Sequence, residues 1–114
     1  MEKNLFKALA AIAAVNVEGY TVDAHTLQPV TTGYAVAVAA TQNSFGPEGL
    51  ARVIDYVTTH DDATVFGGWY NSENGQYYYD ATIIVTSYKE ARRLAELNKQ
   101  IAFFDLAQGE EIKL

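Results

Sequence analysis

The chain has 114 residues, 49% of them apolar and 19% charged, which suits one folded domain and excludes a disordered or low-complexity segment. It has no cysteine, so disulfides, thiolate nucleophiles, zinc–cysteine sites and iron–sulfur clusters are ruled out. Fourteen acidic residues against eight basic ones give a net charge of −6, a sign that opposes binding to a phosphate backbone.

At the N-terminus, Lys3 and Lys7 precede Ala8–Val15, an uncharged stretch that invites comparison with an export signal. Glu2 dilutes the positive end, however, and alanine is only weakly hydrophobic. The same residues make a sound helix, because Leu5, Leu9 and Ile12 fall at i, i+4 and i+7 on an alanine background. Residues 1–17 are therefore expected to form an alanine-rich amphipathic helix. No apolar run approaches the roughly 20 residues that span a bilayer, and the expectation is a cytoplasmic protein with no membrane partner.

Gly19–Asp23 reads as a short strand and His25–Pro29 as the turn after it. Tyr34–Thr41 alternates Val36, Val38 and Ala40 with Ala35, Ala37 and Ala39, a strand whose two faces differ in size. Asn43, Ser44 and Pro47 are a helix-start signal. The helix that follows places Leu50, Val53, Ile54 and Val57 on one face, and His60 closes it. Val65–Asn71 and Gln76–Thr86 form the clearest hairpin, with Asn74-Gly75 suited to a turn that needs positive φ. Tyr77, Tyr79, Ala81, Ile83 and Val85 share one face of its second strand, and Tyr78, Asp80, Thr82, Ile84 and Thr86 the other. Ser87 and Glu90 have capping-box spacing for a helix that runs to about Gln100 and buries Ala91, Leu94, Ala95 and Leu97. Ile101–Leu106 is a final strand, and Gly109 turns the chain into a short tail.

This order predicts a single α+β domain over 1–114, with the N-terminal helix followed by a β-β-α-β-β-α-β core over 18–114. Its last six elements are the ferredoxin-like βαββαβ arrangement, a mostly antiparallel sheet with two helices on one face. The other face would then carry Ala35, Ala37, Ala39, Tyr78 and Ile84. Such an apolar surface needs a cover, and the N-terminal helix is the favoured one, with a second copy in a homodimer as the alternative.

The chemistry-bearing residues are sparse. Asp23 and His25 share a strand face and could supply two metal ligands, but a turn-flanking surface pair explains them as well. His60, Asp61 and Asp62 read as a helix end followed by a polar turn. Asp80 and Asp105 each interrupt an otherwise apolar strand; brought together they would repel, raise one pKa and serve as acid and base. With His60 and Tyr79 they are the polar lining expected for a pocket between the hairpin and the third helix. No metal-binding, calcium-loop or phosphate-loop motif occurs, and no cofactor is expected.

The hairpin concentrates Trp69, Tyr70, Tyr77, Tyr78 and Tyr79, the residue types that anchor interfaces with large area at low rotamer cost. Sheet aromatics also stack nucleic-acid bases, but between Lys7 and Lys89 the only cation is Arg52, so phosphate contacts are missing. The acidic residues are scattered along the chain, which argues against a nucleic-acid mimic.

Several blocks of text are distinctive. Thr41-Gln42-Asn43-Ser44-Phe45-Gly46 with Glu48-Gly49-Leu50, Gly67-Gly68-Trp69-Tyr70-Asn71, Tyr77-Tyr78-Tyr79-Asp80 and Asn98–Leu106 together resemble a recurring pattern of small proteins associated with phages and mobile elements of gut bacteria. The resemblance covers most of 19–114 and implies a context, with no activity and no catalytic residues. The resulting expectation is a non-enzymatic accessory module that binds a protein partner or itself through the aromatic hairpin and sheet face. The alternative is a small ligand-binding domain or enzyme using Asp80, Asp105 and His60.

Overall fold

The first helix forms where alanine dominates. In the computed structural model, which describes residues 3–114, α1 spans Lys3–Val15, and Leu9 on its apolar stripe is fully buried. Strand β1 (Tyr20–Asp23) follows, and the chain then doubles back along its outer edge: Pro29 bridges Val22, and the Val30 N–H donates to the Thr21 carbonyl at 2.9 Å. Strand β2 covers only Tyr34–Ala37. The expected strand to Thr41 stops there, because Ala39–Thr41 winds into a single 3₁₀ turn. The reason is a competing set of bonds to the hairpin. The Val38 N–H donates to the Ala81 carbonyl, and the buried Thr41 Oγ1 accepts from the Ala81 N–H at 3.1 Å.

A two-residue strand β3 (Ser44–Phe45) comes next, and helix α2 (Gly46–Thr59) starts directly after it with Pro47 in its first turn. Ser44 does not cap this helix as its sequence position suggests. It is buried, and its Oγ accepts from Arg52 Nη1 at 3.2 Å. Strands β4 (Val65–Asn71) and β5 (Gln76–Val85) form the expected hairpin, with Gly75 at φ 73°. Helix α3 (Tyr88–Leu97) begins at the expected cap, where the Ser87 Oγ accepts from the Glu90 N–H at 3.2 Å. Leu97, expected to be buried, is exposed; the buried residues of the helix are Ala91 and Ala95. Strand β6 is Ala102–Asp105, and the expected tail is strand β7 (Glu110–Lys113), which turns Ile112 onto the α3 core.

Over the described residues the fold is α+β: three helices and a seven-stranded open sheet in which every pairing is antiparallel. The strand order is β1-β4-β5-β2-β6-β7, and β3 pairs with the outer part of β5 beside β2. Register sorts the side chains. Val22, Phe66, Ala81, Val36 and Phe103 project to one side, where they meet α1 and α2 in one cluster and α3 in a second. All three helices lie on this side. The expectation that the N-terminal helix covers the opposite face is therefore overturned: Leu9 packs with Val53, Ile54 and Phe66, so α1 lies beside α2. Width explains the placement. Six neighbouring strands span about 24 Å, whereas two helices side by side cover about 20 Å.

The opposite face carries no helix, although Val65 and Thr82 on it are buried, and it is concave. Val30 lies outside β1, four strand spacings or about 19 Å from β2 on a flat sheet. Yet only three residues lie between Val30 and Tyr34, four Cα steps with a reach of about 15 Å. The sheet must curl to let that connection pass, and Gly33 crosses against Ile84 on the uncovered side.

Candidate functional site

Alternation along the strands places Thr21, Gly67, Trp69, Tyr78, Asp80, Thr82, Ala35, Ala37, Ile84 and Phe104 on the uncovered face. The expected interaction residues are divided by the same rule. Trp69 and Tyr78 are cross-strand partners on the open face and stack with ring centroids 5.2 Å apart. Phe45, on β3, faces Tyr78 from the other flank at 5.4 Å. The three rings form a ladder across β4, β5 and β3, and Trp69 (46% exposed) and Phe45 (44% exposed) are its open ends. The Tyr78 hydroxyl accepts from Asn74 Nδ2 at 2.8 Å, which ties the middle rung to the hairpin turn.

Tyr70, Tyr77 and Tyr79 take the helix side instead. Tyr77 stacks on Tyr20 at 6.2 Å and donates its hydroxyl to the Asn16 carbonyl at 2.7 Å, so it anchors the end of α1. Burial pushes its phenol up to about 12, with Tyr79 and Glu18 adding repulsion to the ionised form. Tyr79 packs against the core under α2 and is raised by burial as well. The Tyr20 hydroxyl is buried with no hydrogen-bond partner, and burial holds its ionisation far above the ordinary range. These rings fasten α1 to the sheet.

Phe45 was hidden in the sequence because it sits inside a helix-start signal. Its β register beside Tyr78 comes from tertiary pairing, and no local pattern announces it.

Behind the ladder the face deepens. A hollow of about 840 Å³ extends from Ile12 and Asn16 of α1 to Ala35, Ala37 and Phe104 of the open face, and Asp80, Thr82, Gly67 and Trp69 line it. Asp80 is half-buried on its floor. Its carboxyl accepts from the hydroxyl of Thr82, itself buried. The surrounding sheet strips water from the carboxyl and raises its pKa, an effect that the Thr82 hydrogen bond opposes.

The neighbouring glycines belong to this arrangement. A Cβ at Gly67 would lie 2.5 Å from Asp80 Oδ1, and one at Gly68 would lie 2.4 Å from the Tyr20 ring on the other side of the sheet. Two side-chain-free residues in succession thus make room for a carboxyl on one face and an aromatic ring on the other.

The pocket expected between the hairpin and the third helix does not assemble. Asp80 points to the open face, whereas Asp105 pairs with Tyr34 on the helix side and its carboxylate accepts from the Gln108 N–H at 3.2 Å. His60 sits at the end of α2, stacked on Tyr56 at 4.0 Å with Nδ1 3.0 Å from the Tyr56 carbonyl. The Tyr56 hydroxyl donates to the Asp62 carboxylate at 3.0 Å, which with burial raises the phenol, so these residues finish a helix. Asp23 accepts from the N–H groups of His25 and Thr26 at 2.8 and 3.0 Å, and those bonds hold its pKa below the usual value. Among the described residues, no three His, Asp or Glu side chains are grouped to hold a metal ion, and no helix is long and apolar enough to cross a membrane.

No protein-family model matches the chain, and neither the curated proteins nor the solved structures contain a match.

Proposed function

We propose that this chain is a non-enzymatic interaction module that binds a protein partner through its open sheet face, with the Phe45–Tyr78–Trp69 ladder as the anchor. The observation that carries this reading is the placement of all three helices on one side of the sheet. It leaves the other side without a helix over three rings in contact, Phe104, and the half-buried Ile84, Ala35 and Ala37. A continuous apolar face of this kind marks an interaction surface, and half-exposed aromatic rings held by their neighbours are efficient anchors.

Two finer readings accompany it. The strands β6-β2-β5-β4, joined by α2 and α3 in connections that each skip one strand, are what supports a ferredoxin-like βαββαβ core, with β1 and β7 as additions at its edges. The resemblance of the Thr41–Leu50, Gly67–Asn71 and Asn98–Leu106 blocks to proteins of phages and mobile elements supports a host-cell component as the partner, met in the cytoplasm.

Site-specific photo-crosslinking tests the surface. A photoreactive residue in place of Phe104 is expected to capture a discrete protein in the native cell, and one in place of Arg92 on α3 is not. Equal crosslinking from both sides of the molecule, or none from the sheet face, would overturn the assignment.

A further inference from the structure

Besides Thr21, Asp23 and Glu111 on its outer strands, the open face is apolar except at its floor, where Asp80 lies without a counter-charge. Among the described residues the only ion pair is Arg93–Glu90 on α3, and the Thr82 hydroxyl is the sole side-chain partner of the Asp80 carboxyl. A desolvated carboxylate in such a place lowers stability unless a cation joins it. The sheet nevertheless makes room for it, since a Cβ at 67 would lie 2.5 Å from the Asp80 Oδ1 in its present position. Small side chains at Ala35 and Ala37 keep the approach open, and Trp69, two residues along β4 from Gly67, lines the same hollow. A carboxylate floor and an aromatic wall are the two elements that recognise a guanidinium group. The first accepts two parallel N–H bonds, and the second presents a π face to a planar cation. Lysine offers a point charge without the fork, and the net charge of −6 favours a basic partner over an acidic one.

We propose that this hollow seats an arginine side chain presented by a partner polypeptide, with Asp80 as the counter-charge and the face of Trp69 turned away from Tyr78 against the guanidinium. This rests on the reading of the open face as a protein-binding surface and specifies the chemistry of what docks there.

The test uses defined probes: a capped Gly-Gly-Arg-Gly-Gly peptide, its lysine and citrulline counterparts, and methylguanidinium, each titrated into the full chain and followed by amide and indole NMR shifts. Citrulline keeps the shape of arginine and removes the charge. The expected result is saturable shifts at Gly67, Thr82 and the Trp69 indole with the arginine peptide, with a dissociation constant on the order of 1 mM, as suits a single anchor. Binding should be at least about tenfold weaker for citrulline and for the folded Asp80→Asn protein, in line with the worth of a charge-assisted pair. Trp69→Leu should weaken the arginine peptide more than the lysine peptide, which reads the stacking independently of the carboxylate.

Equal binding of citrulline, equal binding to Asp80→Asn, or no shift at these residues would overturn the proposal. Methylguanidinium binding as tightly as the peptide would also overturn it, because the occupant would then be a small organic cation. Crosslinks from the Phe104 position decide the surface reading separately. If they persist while the arginine peptide fails, only the arginine assignment falls; if they are absent, the surface itself falls.

Discussion

Asp80 and Gly67 fit together as a pair, the carboxyl occupying the space that any side chain at 67 would need. The arrangement has a consequence for stability. Burial raises the Asp80 pKa, so the folded chain holds that proton more tightly than the unfolded one. Its contribution to stability is therefore greatest below the ordinary aspartate range and is lost as pH rises through the raised value. The charged and titratable groups nearby are the Tyr20 phenol, whose ionisation Asp80 opposes, and Glu18 and Glu111, which line the same hollow. Asp80→Asn keeps an oxygen to accept from Thr82 and removes the charge. It is expected to melt at a higher temperature than the parent at pH 7, with the difference vanishing as pH falls toward 4. A melting-temperature series over that range checks the sign, and a constant difference at every pH would contradict it. A site residue whose removal stabilises the protein is the usual mark of a group kept for binding.

At the scale of elements, α1 is bound into the fold by Leu9, which is fully buried, and by the Tyr77 hydroxyl on the Asn16 carbonyl. Leu9→Ala is expected to cost about 2–5 kcal/mol, whereas Val15→Ala at the exposed end of the same helix (81% exposed) should change little. Urea unfolding separates the two. The helix itself was legible from its leucine spacing and alanine content, as were the Asn74-Gly75 turn and the Ser87 cap, because each is a local signal. What local signals cannot carry is the end of β2. Alternation in Val36–Ala40 continues past the point where Val38 and Thr41 bond to Ala81 and draw the chain into a 3₁₀ turn. Strand β7 was missed for a related reason. Glu110-Glu111-Ile112-Lys113 has one apolar residue, and only pairing with β6 makes it a strand. The site follows the same division. The hairpin rings were legible as a cluster, but alternation alone could not tell which of the two faces the helices would cover, and Phe45 entered only through β3.

For the molecule as a whole, the radius of gyration of 13.0 Å is that of a compact domain of this length, about 13 Å. The open face is then an outer surface of one compact chain, and its charge decides what meets it. A second copy would bring a second charge of −6 and a second Asp80 to the same interface, and at low ionic strength that repulsion acts over a Debye length of about 30 Å. A partner carrying arginine meets the opposite condition, since its charge draws it to the face and neutralises the floor. The chain alone is therefore expected to sediment as a monomer in about 10 mM salt, where the Debye length is long, and any self-association should grow as salt rises toward 1 M and screening shortens it to about 3 Å. Binding of the arginine peptide should run the other way, weakening as salt rises. Sedimentation equilibrium and peptide titration across the same salt series read both slopes. A dimer that is strongest at low salt would mean that complementary charges join two copies, and the carboxylates of the open face would then have to be matched by cations on another surface of the same chain.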